Sequence, residues 1–318
     1  MEWLINLFSA GQQWLFEALV QPLMFVVGLG NLLEDGYAAT GWLLVGLLQI
    51  AVLVAVIGPL QRWRPVEAVT DRSTIRTDIL YTLIHRLGLF RIMLFFTVTP
   101  LFDAAFGALR TAGYGTFHLD QVWPGVTDGA LASLLIYLVV FDFLAYWTHR
   151  AQHQAGWWWR LHSLHHAQRQ MTMWSDNRNH LLDDLLVDVI VVLVAQTIGV
   201  APGQFIAIVA LTQLSESFQH ANVRVSFGKM GERLWVSPRF HRLHHAIGIG
   251  HESAGKHSFG GHNFGVLLPL WDVLFGTANF EHRYDPTGVR DQLEKGRDYG
   301  RGLWSQQWVG LKRLFGQT

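Results

Sequence analysis

Charge-free apolar stretches, and the polar segments between them, divide this chain into elements before any single residue draws notice. Trp42 to Leu60 carries no charge and is about as long as a membrane-spanning helix requires, roughly 20 residues rising 1.5 Å each. Ala130 to Trp147 is nearly as clean, interrupted only by Asp142 close to its end. Trp14 to Leu33 is apolar apart from Glu17 and reads as a span or an interfacial helix. Ile79 to Phe102 is long enough to span but carries His85, Arg86 and Arg91, which are costly in hydrocarbon unless they pair, snorkel or face a cavity. That segment is therefore expected to lie against protein.

A further apolar pair, Leu181 to Val200 and Gln204 to Phe218, is joined only by Ala201, Pro202 and Gly203, which predicts a tight reversal. Its first member carries Asp183, Asp184 and Asp188, and its second is short for a full crossing. A hairpin that enters the membrane, incompletely, fits this pattern better than two independent spans. Basic residues favour the cytoplasmic side. Arg62, Arg64, Arg72 and Arg76 crowd the segment 61–78, whereas the link 34–40 has none, so the amino terminus and the 61–78 loop are expected inside. The next hairpin then returns His149 to the cytoplasmic face, and the 181–218 pair delivers His220 and His241 beside it.

Composition agrees with a bilayer as solvent. Half of the 318 residues are hydrophobic, 15% are charged and the mean hydropathy is positive at +0.22. The start lacks the basic stretch and small-residue pattern of a cleavable signal peptide. With no cysteine the chain offers no disulfide, thiolate nucleophile or iron–sulfur ligand, and a net charge of zero argues against nucleic acid as a partner. The expected fold is all-α: a polytopic membrane helical bundle with a cytoplasmic, histidine-rich helical cap. Its expected divisions are N-terminal membrane helices over 1–125, a histidine core over 126–285 and an amphipathic tail over 286–318, with Leu303 to Phe315 as a packed or membrane-surface helix.

The candidate chemistry lies in three histidine boxes: His149 with His153, His162 with His165 and His166, and His241 with His244 and His245. Residues four apart share a helix face, and a doubled His-His lets neighbouring rings serve different ions. Eight neutral imidazoles exceed what one metal ion needs, so the set points to a multi-metal site. Any one histidine read alone is more ordinarily a core or surface residue, but burying so many without metal would leave many polar groups needing partners. His180, His220, His251, His257 and His262 could complete the coordination. The imidazole set favours iron, zinc or copper over magnesium or calcium, which prefer oxygen ligands. A zinc hydrolase wants a base beside its ligands, as in HExxH, and the HRAQH box has none.

Metal-bound histidines usually donate their other ring nitrogen to a carboxylate or carbonyl. Asp142, two helical turns before His149, is one candidate for that service; Asp176, Asp183 and Asp184, which flank His180, are others, with ordinary surface placement as their alternative. Trp157, Trp158 and Trp159 could wall a substrate tunnel, although an interfacial position is favoured. Arg150 and Arg160 could orient the boxes or meet lipid headgroups. Gly260 and Gly261 read as a mobile turn over the site. Arg224, Lys229, Arg233, Arg239 and Arg242 form a basic patch read as marking the side of anionic lipid, with docking of an acidic donor as the alternative.

The runs DFLAYWTHRAQH (142–153), WRLHSLHHA (159–167), HAN (220–222), SPRFHRLHHA (237–246), NFG (263–265) and WDVLFGT (271–277) resemble the fatty acid hydroxylase and sterol desaturase superfamily over roughly residues 130 to 280. The resemblance implies an integral-membrane, non-haem di-iron oxygenase that hydroxylates or desaturates an unactivated lipid carbon with dioxygen. It also implies metal ligands at the eight box histidines, at His220 and at His180, where Leu181 replaces the proline common in the family. Asp142, Asp184 and Asn263 are the residues expected to support them. Two irons are the expected cofactor, with zinc as a possible substitute in purified protein. Electrons must come from a separate ferredoxin, or from a cytochrome with its reductase, because the chain has no flavin, nicotinamide or haem signature. The other readings are a zinc-dependent membrane lipid hydrolase and a non-enzymatic metal-binding membrane protein.

Overall fold

The computed structural model describes residues 2–247 and 261–317. His251, His257 and Gly260, singled out above, lie outside the described residues. Those described are helical or irregular, and their only strand-like pairing is an isolated antiparallel bridge between Ala246 and Thr287.

Among the described residues two helices are long and apolar enough to cross a membrane: the continuous run Gly30–Trp63, which contains the expected span, and Ala130–Gln154. The first is 34 residues, about 51 Å at 1.5 Å per residue, so it exceeds the hydrocarbon thickness and must project or tilt. The expected element from Trp14 to Leu33 is divided. One helical run, Glu2–Leu15 continuing through Phe16–Val20 and Gln21–Val26, stops before Gly28 in the left-handed region, and the next begins at Gly30. Its exposed Leu19, Leu23, Phe25 and Val26 present an apolar face outward.

The stretch from Ile79 to Phe102 is likewise not one helix. Arg72–Arg86 gives way at Gly88, also left-handed, to Leu89–Thr97 at a bend of 50°, and Thr99–Thr111 restarts with Pro100 in its first turn. Taken as one broken span, the bent pair would be a third crossing. The charges at the bend face protein, as expected. Arg86, 3% exposed, donates to Asp176 (2.9 Å), Ser217 Oγ (3.0 Å), the Gln213 carbonyl (3.0 Å) and Gln49 (3.2 Å). Gly46 makes this possible, because a Cβ there would overlap the Arg86 carbonyl.

The hairpin forms as expected from Leu181–Ile198 and Pro202–Gln219, reversing at left-handed Gly199 and restarting on Pro202. Leu303–Leu314 packs along Gly156–His166; Arg160 donates to the Leu314 carbonyl (3.0 Å) and Arg313 to the Arg160 carbonyl (3.3 Å). The tail is thus a packed helix, with Trp304 and Trp308 exposed on its outer face.

Candidate metal centre

Four backbone elements converge on one buried cluster of imidazoles. His149 and His153 sit one turn apart near the end of Ala130–Gln154. The chain breaks at Ala155, in extended conformation, and turns back as Gly156–His166, which brings His162, His165 and His166 alongside. His220 ends the hairpin. His241 and His244 lie on Pro238–His244 and His245 directly follows; Ser237 starts that short helix by accepting from the Phe240 amide (3.1 Å), and Glu232 in turn accepts from the Ser237 hydroxyl (2.7 Å).

The rings sort into two sets of four, His149, His153, His162 and His166 on one side and His165, His220, His241 and His245 on the other, with His166, His244 and His245 forming a third group between them. Within each group, one nitrogen from every ring lies within 4.8 Å of all the others. His166 and His245 stack at 4.2 Å and join the two halves. All eight box histidines and His220 are therefore brought together, at 9% exposure or less.

Four of the ring protons are fixed from outside the cluster. His149 Nδ1 lies 2.9 Å from the Phe264 carbonyl, His244 Nδ1 2.7 Å from the His262 carbonyl, and His220 Nδ1 2.8 Å from the Glu216 carbonyl. A carbonyl only accepts, so each Nδ1 carries the proton and each Nε2 presents a lone pair. His162 Nδ1 lies 3.0 Å from Asp183 Oδ2, which fixes that ring in the same sense.

The inward nitrogens find no ordinary partner. Nε2 of His162, His166 and His244 is buried with no hydrogen bond among the described residues. On the other side, Nε2 atoms of His165, His220, His241 and His245 form a chain with successive separations of 3.1 Å. The bare Nε2 of His220 cannot donate to either neighbour, so these approaches are not simply a run of hydrogen bonds. Nitrogens bound to one ion at 2.0–2.1 Å would lie roughly 3.0 to 3.4 Å apart, which these separations match. Burial first, then the neighbouring imidazoles, pushes His165, His166, His241, His244 and His245 well below the ordinary histidine range. Rings held neutral are in the form that coordinates a metal, so the donor set fits two transition-metal ions.

His180 stands outside this set. Its Nε2 donates to the Gln307 carbonyl (2.9 Å), and its Nδ1 accepts from the Leu182 amide (3.2 Å), capping the hairpin helix. The structure thus corrects the expectation of a ligand here: both ring nitrogens are occupied by backbone groups. Asp184 is also displaced from its expected role. It faces His85 at 3.3 Å, while its neighbour Asp183 meets His162 and also accepts from Trp158 Nε1 (2.6 Å) and Gln152 (2.8 Å). Asp142 touches no imidazole; it accepts from the amides of Leu267 (2.7 Å) and Leu268 (3.1 Å) and from Trp271 Nε1 (2.9 Å), anchoring the segment that follows Phe264.

Asn263 supports the site through the backbone. In the left-handed region at φ 59°, its amide donates to the Phe240 and Asn279 carbonyls (2.9 and 3.0 Å) and its Oδ1 accepts from the Asn279 amide (2.6 Å). The turn it holds presents the flanking His262 and Phe264 carbonyls to His244 and His149. Asp272 secures the next turn by accepting from the Phe264 and Gly265 amides (2.8 and 2.7 Å). These carbonyls and Asp272 were not legible as supports in the sequence, because a backbone acceptor has no residue signature. His262 contributes its carbonyl, and its ring lies outside the three groups.

The aromatic and basic neighbours divide. Trp157 is exposed, but Trp158 and Trp159 are buried; Trp159 packs on His153 and His166 at 5.0 and 5.3 Å between centroids, which corrects the interfacial reading for those two. Within the basic patch, Arg239 is buried against Glu232 (2.9 Å) and Arg242 pairs with Glu67 (2.9 Å), so two of its five members are structural.

A cavity of about 240 Å³ opens on one face of the cluster, where His149, His162, His165, His220 and His241 line it. Phe264, fully buried and outside the cavity lining, packs on His149, His153 and His244.

The model of the family described as fatty acid hydroxylase matches residues 134–277, which contain all three boxes. The chain is 27% identical over 247 residues to an ornithine lipid hydroxylase of Rhizobium tropici, covering 76% of this chain and 70% of that one. It is 26% identical over 149 residues to an alkylglycerol monooxygenase of Caenorhabditis elegans, covering 46% of this chain and 26% of the relative. A methylsterol monooxygenase of Arabidopsis thaliana is 22% identical over 190 residues, 57% of this chain and 60% of the relative. No solved structure matches.

Proposed function

Because the chain belongs to the fatty acid hydroxylase and sterol desaturase superfamily, we propose that it is an integral-membrane, non-haem di-iron oxygenase that hydroxylates or desaturates a lipid. The observation that carries this reading is the convergence of nine buried imidazoles on two groups of ring nitrogens, with the Nδ1 protons of His149, His162, His220 and His244 tied outward so that their Nε2 lone pairs are left for metal. Two iron ions held there would supply the activation of dioxygen that attack on an unactivated C–H bond requires. His149, His153, His162 and His166 would hold one ion, His165, His220, His241 and His245 the other, with His244 between them.

The chain's own contribution is preorganisation. Asp183 and the carbonyls of Glu216, His262 and Phe264 fix the orientation of His162, His220, His244 and His149, so none of these four rings must turn when metal binds. Trp159 and Phe264 keep water from the rings they cover, while the cavity leaves one face of the cluster open for the substrate carbon. Electrons come from a separate ferredoxin, or from a cytochrome with its reductase. A cytoplasmic position for the cage is supported by the basic 61–78 segment, which packs beside it: Asn222, two residues after His220, accepts from the Val66 and Glu67 amides (3.1 and 3.2 Å).

The test is metal content together with turnover of extracted membrane lipids under isotopically labelled dioxygen and a reductant system. About two irons per chain, as the two groups of ligands require, with label entering one lipid class, is the result expected of a hydroxylase. Loss of two hydrogens without label would identify a desaturase. Zinc alone with an oxygen-independent product would replace this reading with a lipid hydrolase.

A further inference from the structure

A line of aromatic rings runs from the protein surface to one half of the cage. Trp157 is 51% exposed, whereas Trp158 and Trp159 are each 8% exposed. The Trp157 and Trp158 rings stack at 5.2 Å between centroids, with an interplanar angle of 12°. Trp158 Nε1 then donates to Asp183 Oδ1 (2.6 Å), and His162 Nδ1 donates to Asp183 Oδ2 (3.0 Å). His162 belongs to the group of His149, His153 and His166, and the Trp159 ring lies on two members of that same group, His153 and His166. From the exposed indole inward, stacked rings and hydrogen bonds therefore reach a metal-binding ring with no open gap.

The outer end of this line has a definite chemistry. Arg160 follows Trp157 by three residues, on the same helix face, and donates to the Leu314 carbonyl, so the end of the C-terminal helix lies alongside. That end carries Lys312, and neither Gly156–His166 nor Leu303–Leu314 contains a carboxylate. An exposed aromatic anchor beside basic side chains suits an acidic protein partner. A lipid-facing position would explain the exposure of Trp157 but not the bonded route behind it.

We propose that an acidic one-electron carrier protein docks over Trp157 and that its electron reaches the cage through Trp158, Asp183 and His162. Each encounter oxidises the carrier's iron–sulfur or haem centre by one electron and reduces one ferric ion to ferrous, entering at the group that contains His162. The stacked His166 and His245 rings (4.2 Å) join that half to the other, so a second encounter can supply the second ion. No covalent bond forms or breaks, and the indoles mediate without being oxidised themselves. Bonds, hydrogen bonds and stacked rings couple donor and acceptor orbitals better than empty space does, which favours this route over the cavity. The proposal rests on the oxygenase reading for its metal and on the Trp157-to-His162 geometry for its path.

Oxidised, metal-loaded enzyme in nanodiscs can be mixed without dioxygen with reduced plant-type ferredoxin or with dithionite, and the rate of iron reduction read at saturating reductant. Binding of ferredoxin to the metal-free protein is measured separately. Trp157→Leu should weaken that binding about tenfold or more, as truncation of an aromatic anchor does. It should also lose the fast electron transfer at saturation while keeping its iron and its rate with dithionite. Trp157→Tyr should recover the fast transfer, and Lys312→Glu should weaken binding alone. Wild-type ferredoxin kinetics in Trp157→Leu, or an equal slowing with dithionite, would overturn the route and leave the oxygenase reading standing. A wild type whose metal dithionite cannot reduce would overturn the oxygenase reading, and the route with it, whatever ferredoxin binding shows.

Discussion

Asp183 Oδ2 lies 3.0 Å from His162 Nδ1, and the other oxygen of the same carboxylate accepts from the Trp158 indole and the Gln152 amide. A carboxylate from the hairpin helix thereby fixes a ring on the second-box helix, and Gln152 ties both to the helix of the first box. Removing the charge at that junction leaves three buried donors competing for weaker acceptors.

Asp183→Asn should therefore lower metal affinity about ten- to a hundredfold, the range for losing such a support. Asp184→Asn, one residue on, should leave affinity nearly unchanged because its carboxylate faces His85. Competition with a chelator followed by metal analysis separates the two; equal losses would contradict the assignment.

Two histidines should behave in opposite ways. His244→Ala is expected to abolish both metal retention and turnover, as is His149→Ala. His180→Ala should retain metal and lose stability, by about 1 kcal/mol for the missing helix cap and more for the void beneath Gly310, which packs on that ring. Full metal loss in His180→Ala would return this residue to the ligand set.

Asn263→Ala removes three hydrogen bonds and places alanine in the left-handed region, which should destabilise the protein by about 1–3 kcal/mol. Metal should also be held more weakly, because the carbonyls that orient His149 and His244 lie on either side of this residue. Asn263→Gly relieves only the backbone strain. Thermal unfolding of the metal-free forms should rank wild type above Asn263→Gly and Asn263→Ala last.

The metal-free protein should lose stability as pH falls through 6.5. His165, His166, His241, His244 and His245 are depressed well below that value in the fold but return to it on unfolding. Above pH 6.5 both states are neutral and no difference arises. Below it the unfolded chain takes up protons that the folded chain does not, so unfolding is favoured. Denaturant midpoints measured between pH 5 and 8 should decline on the acid side; a flat profile would show that the cage is not buried neutral.

Periodicity and spacing were sufficient for much of this molecule. A run of some 20 apolar residues with at most one charge has one good solution in a bilayer, and Gly30–Trp63 and Ala130–Gln154 contain the two runs so recognised. His149 and His153 had to share a face because four residues make about one helical turn, and three boxes together pointed to a multi-metal site. Local sequence did not reveal that the helix expected from Ile79 would break at Gly88, because glycine permits that bend without requiring it. Nor could it distinguish Asp183 from Asp184: adjacent residues on a helix differ by about 100° in direction, and only the packing against Gly156–His166 decides which one meets His162. His180 was drawn to the Gln307 carbonyl by the docking of the C-terminal helix, more than a hundred residues away, and the carbonyls of Glu216, His262 and Phe264 became supports through tertiary folding. Side-chain type and spacing thus determined which groups could bind metal, whereas long-range packing decided which nitrogen of each oriented ring faces the centre, because a hydrogen bond on one side of an imidazole is what frees the other.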